Sequence, residues 1–292
     1  MRTRPAGRDF GMNHPDAADI ARAVGDALAE DVGKGDLTAA LIPHDSRARA
    51  SIVAREQAVL CGAAWVEATF RHLDPDVEIE WYFEDAAACH SGDVICAVAG
   101  NARSLLTAER TALNFLQTLS ATATTTAHYC AAVAGTGTQI LDTRKTIPGL
   151  RTAQKYAVRC GGGRNHRVGL FDAVLIKENH VAASKSIRDA VARATQLSPS
   201  AFIEVEIETT QQLLEALETG ASRLLLDNFT PDMLREAVQL RDRHPAHRKL
   251  LEASGGITLQ NVREYAETGV DMISIGALTK HIQAIDYSMR FD

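Results

Sequence analysis

The spacing of apolar residues near the start of the chain is helical. Ile20, Val24 and Leu28 recur every four residues within residues 16–31, and Gly33 follows them. Residues four apart lie on one face of an α-helix, and glycine often ends helices. The segment therefore predicts an amphipathic helix.

The chain from residue 63 to residue 126 mixes two periodicities. Apolar residues alternate with other residues in 77–83 and again in 94–98, whereas 63–73 and 102–119 are helical in pattern. A Thr-rich stretch, 121–126, follows the long helical pattern. Strands and helices together indicate a small α+β domain. We place its boundary within or just after the long helix.

Beyond Gly137 the organisation changes. Six short apolar runs alternate with longer helical segments, which is the pattern of parallel strands joined by helical crossovers. The predicted fold class is α/β, with a C-terminal TIM-like α/β barrel that is either closed with eight strands or smaller. We assign 1–118 to the N-terminal α+β domain and 119–279 to the barrel, and we expect the tail, 280–292, to pack back on the N-terminal domain. The six runs are TQILD, DAVLIK, FIEVEIE, RLLLD, KLLEASG and DMISIG.

Charged residues stand at or near the carboxyl ends of these runs, where α/β barrels carry their active sites. In FIEVEIE, Glu204, Glu206 and Glu208 alternate with apolar residues, so all three face into the barrel. Burial and mutual repulsion raise the pKa values of such carboxyl groups unless cations or metal ions compensate. An aspartate after a strand can instead cap the next helix, which is the alternative for Asp227. The strand-end residues are Asp142, Lys177, Glu206, Asp227 and Glu252.

Two segments of small residues, 254–256 and 275–277, end the last two runs. Small residues let backbone N–H groups approach an anion, and a helix that follows directly adds its positive end. The last two strands are the usual phosphate site of α/β barrels. Together the segments predict a phosphate site, with plain strand-to-helix turns as the alternative.

The chain carries a net charge of −6, which argues against nonspecific nucleic-acid binding. Residues 142–180 nevertheless hold eight Lys and Arg against three acids, a local +5. Charge runs are usually solvated faces, but glycines and flanking strands interrupt this one. We interpret Arg144–Lys145 and His166–Arg167, the latter just after the triple glycine, as clamps for carboxylates or phosphates.

Composition indicates the cellular context. The five cysteines are an odd number without CxxC spacing, which indicates neither a disulfide framework nor a zinc site. Residues 1–17 lack the apolar core of a signal peptide, and no run approaches the roughly 18 apolar residues that span a membrane. We expect a cytoplasmic protein without membrane or nucleic-acid partners.

Several longer strings closely resemble the quinolinate phosphoribosyltransferase family over nearly the whole chain beyond the first dozen residues. DTRKT-PGLR in 142–151 and GGG-NHR in 161–167 are highly specific to this family and its near relatives. One departure is Ala121, where the family pattern has Gly after Ser, and we expect a small change in helix packing there. The strings are EDVGKGDLT (30–38), ERTALNFLQTLSATAT (109–124), DTRKTIPGLR (142–151), KYAVRCGGGRNHRVGLFDAVLIKENH (155–180), IEVEIET (203–209), LLLDNF (224–229) and EASGGITLQNVREYAETGVDMISIGAL (252–278).

The resemblance implies an activity and a set of site residues. The family joins quinolinate to 5-phosphoribosyl-1-pyrophosphate (PRPP) and requires Mg²⁺; the products are nicotinate mononucleotide, pyrophosphate and CO₂, in de novo NAD synthesis. The catalytic residues implied are Lys145, Lys177, Glu206 and Asp227, of which Glu206 and Asp227 would also hold the ribose hydroxyls and Mg²⁺, the metal largely through substrate. The implied substrate-binding residues are Arg110, Arg144, His166, Arg167 and Lys177 for the pyridine dicarboxylate, Lys145 near the pyrophosphate, Thr143, and Ser254, Gly255, Gly256, Ile275, Gly276 and Ala277 for the 5-phosphate.

The resemblance also implies a homodimer with active sites shared between subunits, either alone or as part of a higher oligomer. Arg110 lies on the long helix before the barrel, yet the resemblance makes it a ligand of the same acceptor as the strand-end residues. A ligand from another domain often belongs to another chain, and a symmetric dimer would make the contact twice.

Three other functions stay open at this stage. A strand-end lysine such as Lys177 can form a Schiff base, as in aldolases, but the arginines and the triple glycine have no role in that chemistry. The others are a related phosphoribosyltransferase with a different acceptor and a non-catalytic barrel that binds phosphorylated metabolites. Glu206 and Asp227 argue against the last, because a pure anion binder gains nothing from inward acids.

Overall fold

The computed structural model describes residues 15–245 and 249–292. The expectation that the chain begins without a signal peptide rests mostly on residues outside these ranges. The predicted helices at 16–31 and 63–73 and the strands near 77–83 and 94–98 are confirmed. The elements of this part are α1 (Ala17–Val32), a single 3-10 turn (Ala39–Leu41), β1 (Arg47–Ala54), β2 (Ala58–Val59), α2 (Ala63–Leu73), β3 (Glu78–Trp81), β4 (Ala88–Cys89), β5 (Val94–Asn101) and α3 (Ala102–Ala132).

Helix α3 is continuous for 31 residues, so it includes the Thr-rich stretch that the sequence pattern places after it. Threonine hydroxyls compete with helical hydrogen bonds unless they find a local partner. Here Thr126 Oγ1 donates to the carbonyl of Thr122 at 2.8 Å, and Thr122 Oγ1 donates to that of Thr118 at 3.4 Å. The helix therefore continues past residue 119 and packs on both parts of the chain.

The second part alternates strands and helices. All six predicted runs form strands, which confirms the α/β class. The elements are β6 (Gln139–Leu141), α4 (Arg151–Cys160), β7 (Val174–Ile176), α5 (Glu178–Ser184), α6 (Ile187–Leu197), β8 (Ile203–Ile207), α7 (Thr210–Leu217), β9 (Arg223–Asp227), α8 (Pro231–Arg243), β10 (Leu250–Ser254), α9 (Val262–Ala266), β11 (Met272–Ser274), α10 (Ala277–Lys280) and β12 (Tyr287–Phe291).

Six parallel strands form the barrel sheet in the order β6-β11-β10-β9-β8-β7. Each strand from β7 to β11 neighbours the next, and β11 returns to β6, which is a barrel order with one opening between β6 and β7. Within the described chain, a single parallel bridge from Leu141 to Arg164 stands at that opening. Of the two predicted alternatives, the barrel is therefore the smaller one, with six strands rather than eight.

A separate four-stranded antiparallel sheet has the order β12-β1-β5-β3. Its edge strand β12 belongs to the C-terminal tail and pairs with β1 in the register Ala50 to Phe291. One apolar core lies inside and around the barrel, a second beneath this sheet, and a third joins α1, α2 and α4. Among the described residues, no helix is both long enough and apolar enough to cross a membrane.

Candidate active site

The carboxyl ends of the barrel strands form a mouth, because parallel strands all end on one side. Lys177 follows β7 directly, and its Nζ donates a hydrogen bond to Glu206 on the neighbouring strand β8. The Lys177 side chain is 45% exposed and that of Glu206 is 9% exposed. A Schiff-base lysine needs a desolvated amine, so the exposed, ion-paired amine of Lys177 argues against an aldolase.

Two arginines approach the mouth without carboxylate partners. Burial lowers the pKa of Arg167, and the charge of the nearby Arg144 lowers it further. Arg167 Nη1 donates to the carbonyl of Ala173 at 3.3 Å, and the buried Nε of Arg144 has no hydrogen-bond partner. Neither guanidinium makes an ion pair with any residue that the structure describes. Their proximity costs energy that a bound anion would offset.

The loop after β6 lies against the segment after β11. Thr143 Oγ1 accepts a hydrogen bond from the backbone N–H of Lys145 at 3.1 Å, and Lys145 is exposed. A Cβ on Gly276 would lie 3.1 Å from Cδ of Lys145 and 3.6 Å from Thr143 Oγ1. The predicted pyrophosphate lysine therefore stands beside Ile275–Ala277, one of the two predicted phosphate segments.

The other phosphate segment, Ser254 to Gly256, is a tight turn. Gly255 and Gly256 have φ values of 101° and 60°, and a Cβ on Gly255 would lie 2.2 Å from Oδ1 of Asn228. Only glycine fits such a position without strain. The helix expected directly after this segment is not there, because α9 begins at Val262. The segment 275–277 does lead directly into a helix, because α10 begins at Ala277, but this helix has only four residues.

Beneath the mouth, the barrel interior holds a buried polar cluster. His166 Nε2 lies 2.8 Å from Glu204 Oε2, and Arg223 Nη1 donates to Glu252 Oε2 at 2.7 Å. Burial raises the pKa of Glu252 to about 7, with repulsion from Glu204 as the second cause. Burial also raises the pKa of Glu204. Glu252, expected at the mouth, is instead on the barrel floor.

His166 lies at the upper edge of this cluster. Its Nδ1 accepts a hydrogen bond from the backbone N–H of Arg167 at 2.8 Å, so in the neutral ring the proton is on Nε2, which lies 2.8 Å from Glu204 Oε2. Burial lowers its pKa, which favours the same neutral ring. The side chain thus faces the floor, and its implied contact with a substrate stays a prediction.

Asp142, also expected at the mouth, is fully buried. Its Oδ1 accepts from Lys155 Nζ at 2.5 Å and from the backbone N–H of His166 at 2.8 Å. Burial raises the pKa of Asp142 and lowers that of Lys155, and the charge of each partner opposes the shift. The strand-end pattern predicts exposure to substrate, but here the carboxylate turns back into the protein to hold its own chain.

Glu206 and Asp227 offer the oxygen ligands that Mg²⁺ prefers. Asp227 ends β9, the neighbour of β8, and is half-buried; its Oδ2 accepts from Asn228 Nδ2 at 2.8 Å. Neither residue belongs to a group of three metal-ligating side chains in the described ranges. Two carboxylates fit a Mg²⁺ ion whose other ligands come from substrate and water.

Arg110 is exposed on α3, and its side chain makes no hydrogen bond or ion pair with another described residue. One turn earlier, Thr107 Oγ1 donates to Asp36 Oδ2 at 2.9 Å. The structure therefore does not join Arg110 to the strand-end residues of its own chain.

Two charged residues that contact the site were not identified from the sequence. Arg223 shares an inward face with Leu225 and Asp227, so strand alternation gave a signal that could have found it. Lys155 lies on α4 among apolar residues and is buried. Its position in a charge run gave no signal of burial.

Comparisons with known proteins decide the family. The model of the quinolinate phosphoribosyl transferase N-terminal domain matches residues 36–120, and that of the C-terminal domain matches residues 122–290. The chain belongs to the quinolinate phosphoribosyltransferase family. It is 42% identical to a probable carboxylating nicotinate-nucleotide pyrophosphorylase of Bacillus subtilis, across 95% of this chain and 94% of the relative.

Other family members agree. The chain is 44% identical to the carboxylating nicotinate-nucleotide pyrophosphorylase of Mycobacterium leprae, across 90% of this chain and 94% of the relative. The solved nicotinate-nucleotide pyrophosphorylase of Francisella tularensis is similar with a TM-score of 0.92 and 43% identity, across 96% of this chain and 99% of that one. The family fold thus extends over both parts of the molecule.

Proposed function

We propose that this family member transfers the phosphoribosyl group of PRPP to quinolinate, with loss of CO₂, in NAD synthesis. The observation that carries the proposal is a pair of guanidinium groups, Arg144 and Arg167, that form no ion pair with a described carboxylate, at a mouth that also holds carboxylates and glycine turns. A pyridine dicarboxylate supplies two anionic groups for such a pair. The names of the relatives, carboxylating nicotinate-nucleotide pyrophosphorylases, support the same acceptor.

The residues suit the charge changes of this reaction. Departure of pyrophosphate leaves positive charge on the ribose ring, which Glu206 and Asp227 face, while the Lys145 ammonium lies near the leaving polyanion. Attack by the pyridine nitrogen then makes a pyridinium. The adjacent carboxylate leaves as CO₂ because the cationic nitrogen stabilises the carbanion left behind, which then takes up a proton from water. Arg144 and Arg167 mainly orient the acceptor for this sequence, so no covalent nucleophile is required.

Mg²⁺ is part of the proposal. Glu206 and Asp227 would hold it, largely through the substrate, and when bound it would offset the charge of the departing pyrophosphate. Their positions on neighbouring strands, with glycine turns beside them, support this assignment.

We also propose a cytoplasmic homodimer in which Arg110 completes the partner's site. Large apolar side chains lie exposed near Arg110 and also near the barrel mouth, the two parts that would form such a site. Leu37 and Leu41 are 89% and 84% exposed on the side of Asp36 and Thr107, and Leu170 and Phe171 are 74% and 85% exposed in the loop after Arg167. Large exposed apolar patches on a protein surface often mark sites where another protein binds.

The test is to mix the protein with Mg²⁺, PRPP and quinolinate and to measure nicotinate mononucleotide. Nicotinate is the matched control acceptor, because it lacks the second carboxylate. It should react very poorly, since a site built for two carboxylates leaves a guanidinium unpaired when one is missing. Comparable turnover of both acceptors would refute the assignment.

A further inference from the structure

The opening in the barrel between β6 and β7 is filled by a short segment, 164–166, that pairs like a strand for one residue only. Arg164 N–H donates to the carbonyl of Ile140 at 2.8 Å, and Asp142 N–H donates to that of Arg164 at 3.1 Å. After this bridge the backbone ladder stops. The segment leads directly into Arg167.

A buried ion pair replaces the missing ladder. The Asp142 carboxylate accepts from the backbone N–H of His166, and Lys155 Nζ donates to the carbonyl of the same residue at 2.9 Å. Asn165 Nδ2 adds bonds to Asp142 Oδ2 at 2.7 Å and to the carbonyl of Lys155 at 2.8 Å. Both backbone groups of His166 are therefore held by one charged pair, whose side chains are at most 3% exposed.

The Asp142–Lys155 pair lies next to the backbone from which both guanidinium side chains extend. Arg144 follows Asp142 by two residues along the chain, and Arg167 follows His166 by one. Two like charges in one site relax by moving apart unless their backbones are fixed. A buried ion pair contributes little net stability for its desolvation cost, so its clearest effect here is geometric.

We propose that Asp142 and Lys155 are positioning residues for the dicarboxylate acceptor, which hold Arg144 and Arg167 at a fixed separation through His166. The inference rests on the proposed function for the identity of the acceptor. The effect is larger on the acceptor than on PRPP, because both guanidinium groups are held through His166 and Asp142, whereas most of the PRPP side follows β8, β9, β10 and β11, with Lys145 as the one PRPP residue beside Arg144.

The test uses Asp142→Asn, Lys155→Met and the double variant, which leaves no unpaired buried charge if a single variant fails to fold. We expect the KM for quinolinate to rise at least about tenfold in each, because loosened clamps lose pre-organisation. The KM for PRPP should rise several-fold less, because Lys145 alone of the PRPP residues closely follows Asp142 in the chain. Hydrogen–deuterium exchange at the amides of 164–167 should become faster.

Arg241→Met is the matched control. Arg241 Nη1 donates to Asp271 Oδ2 at 2.6 Å, and the same oxygen accepts from the backbone N–H of Leu251 at 2.8 Å. This ion pair also holds a backbone group, but it lies at the amino ends of the strands, away from the mouth. This variant should leave both KM values and the exchange of 164–167 unchanged.

An equal rise in both KM values, or a wild-type quinolinate KM in the double variant, would overturn the positioning role. Lack of quinolinate turnover by the wild-type protein would instead overturn the proposed function. In that case the exchange experiment still decides the clamp, because unchanged protection of 164–167 in the double variant would refute it.

Discussion

Arg144 and Arg167 bring two positive charges together in a half-buried place without a carboxylate partner among the described residues. Such an arrangement costs stability in the free protein, and it persists in proteins where a ligand supplies the opposite charge. The sequence indicated both residues as clamps, since they follow a strand and a glycine loop. It did not indicate that Asp142, two residues away, turns inward.

Replacement of Arg144 should therefore separate activity from stability. We predict that Arg144→Ala lowers kcat/KM at least about 100-fold, which corresponds to loss of a charged contact in a site that excludes water. Lys177→Ala should do the same. The melting temperature of Arg144→Ala should be unchanged or higher, because repulsion of Arg167 is relieved. Arg235→Ala, on the exposed surface of α8, is the control for loss of an arginine. Near-wild-type efficiency of either mouth variant would contradict the site.

The buried Glu252 gives a pH signature. Its pKa is raised to about 7 by burial and by Glu204, so the folded protein binds its proton more tightly than the unfolded chain does. The resulting stabilisation is fully present below the ordinary glutamate pKa and is lost as pH rises through about 7. We predict that the difference in melting temperature between wild type and Glu252→Gln falls as pH rises from the ordinary glutamate pKa to about 7. Glu264→Gln, at an exposed position, should show no such dependence on pH. If the melting-temperature difference for Glu252→Gln does not change with pH, Glu252 does not have a raised pKa in the folded protein.

At the scale of helices and strands, the spacing of apolar residues and the positions of glycines predicted most of the fold. The six barrel strands and helix α2 follow from apolar spacing alone. The Thr-rich part of α3 was misplaced because propensity does not reveal that buried hydroxyls can bond to carbonyls four residues back. The short segment at 164–166 was not predicted as part of the barrel, because side chains rather than a ladder hold it.

Glycine at 161 should be required where α4 meets α3. A Cβ there would lie 2.3 Å from the carbonyl oxygen of Ala123 and 2.6 Å from Cβ of Thr126. We predict that Gly161→Ala costs about 1–3 kcal/mol of unfolding free energy, as overpacking does. Gly220→Ala is the control, since a Cβ at Gly220 meets nothing within 4 Å. Denaturant unfolding measures both; equal stability of the two variants would show that α3 and α4 can separate without cost.

At the scale of the whole molecule, the proposed homodimer places Arg110 of one chain at the barrel mouth of the other. Exposed apolar residues lie both near this helix and in the loop after Arg167, as expected if one chain's α3 side meets another chain's barrel mouth. Sequence alone could suggest this only through the family resemblance, because contacts between chains leave no periodic pattern.

Subunit exchange should restore activity if the site is shared. Arg110→Ala and Lys177→Ala, each nearly inactive, are mixed in equal amounts and allowed to exchange. About half of the dimers become mixed, and each mixed dimer has one site with both defects and one with neither. Activity should recover to roughly a quarter of wild type. If exchange is proven and activity does not recover, Arg110 serves its own barrel.

The most direct test of the account follows the carboxylate next to the pyridine nitrogen. Quinolinate labelled at that carboxylate is incubated with the protein, Mg²⁺ and PRPP, and released CO₂ and pyrophosphate are counted together. The account predicts equal amounts of both, label absent from the mononucleotide, and no CO₂ when PRPP is omitted. Label retained in the product, or CO₂ released without pyrophosphate, would contradict transfer coupled to decarboxylation.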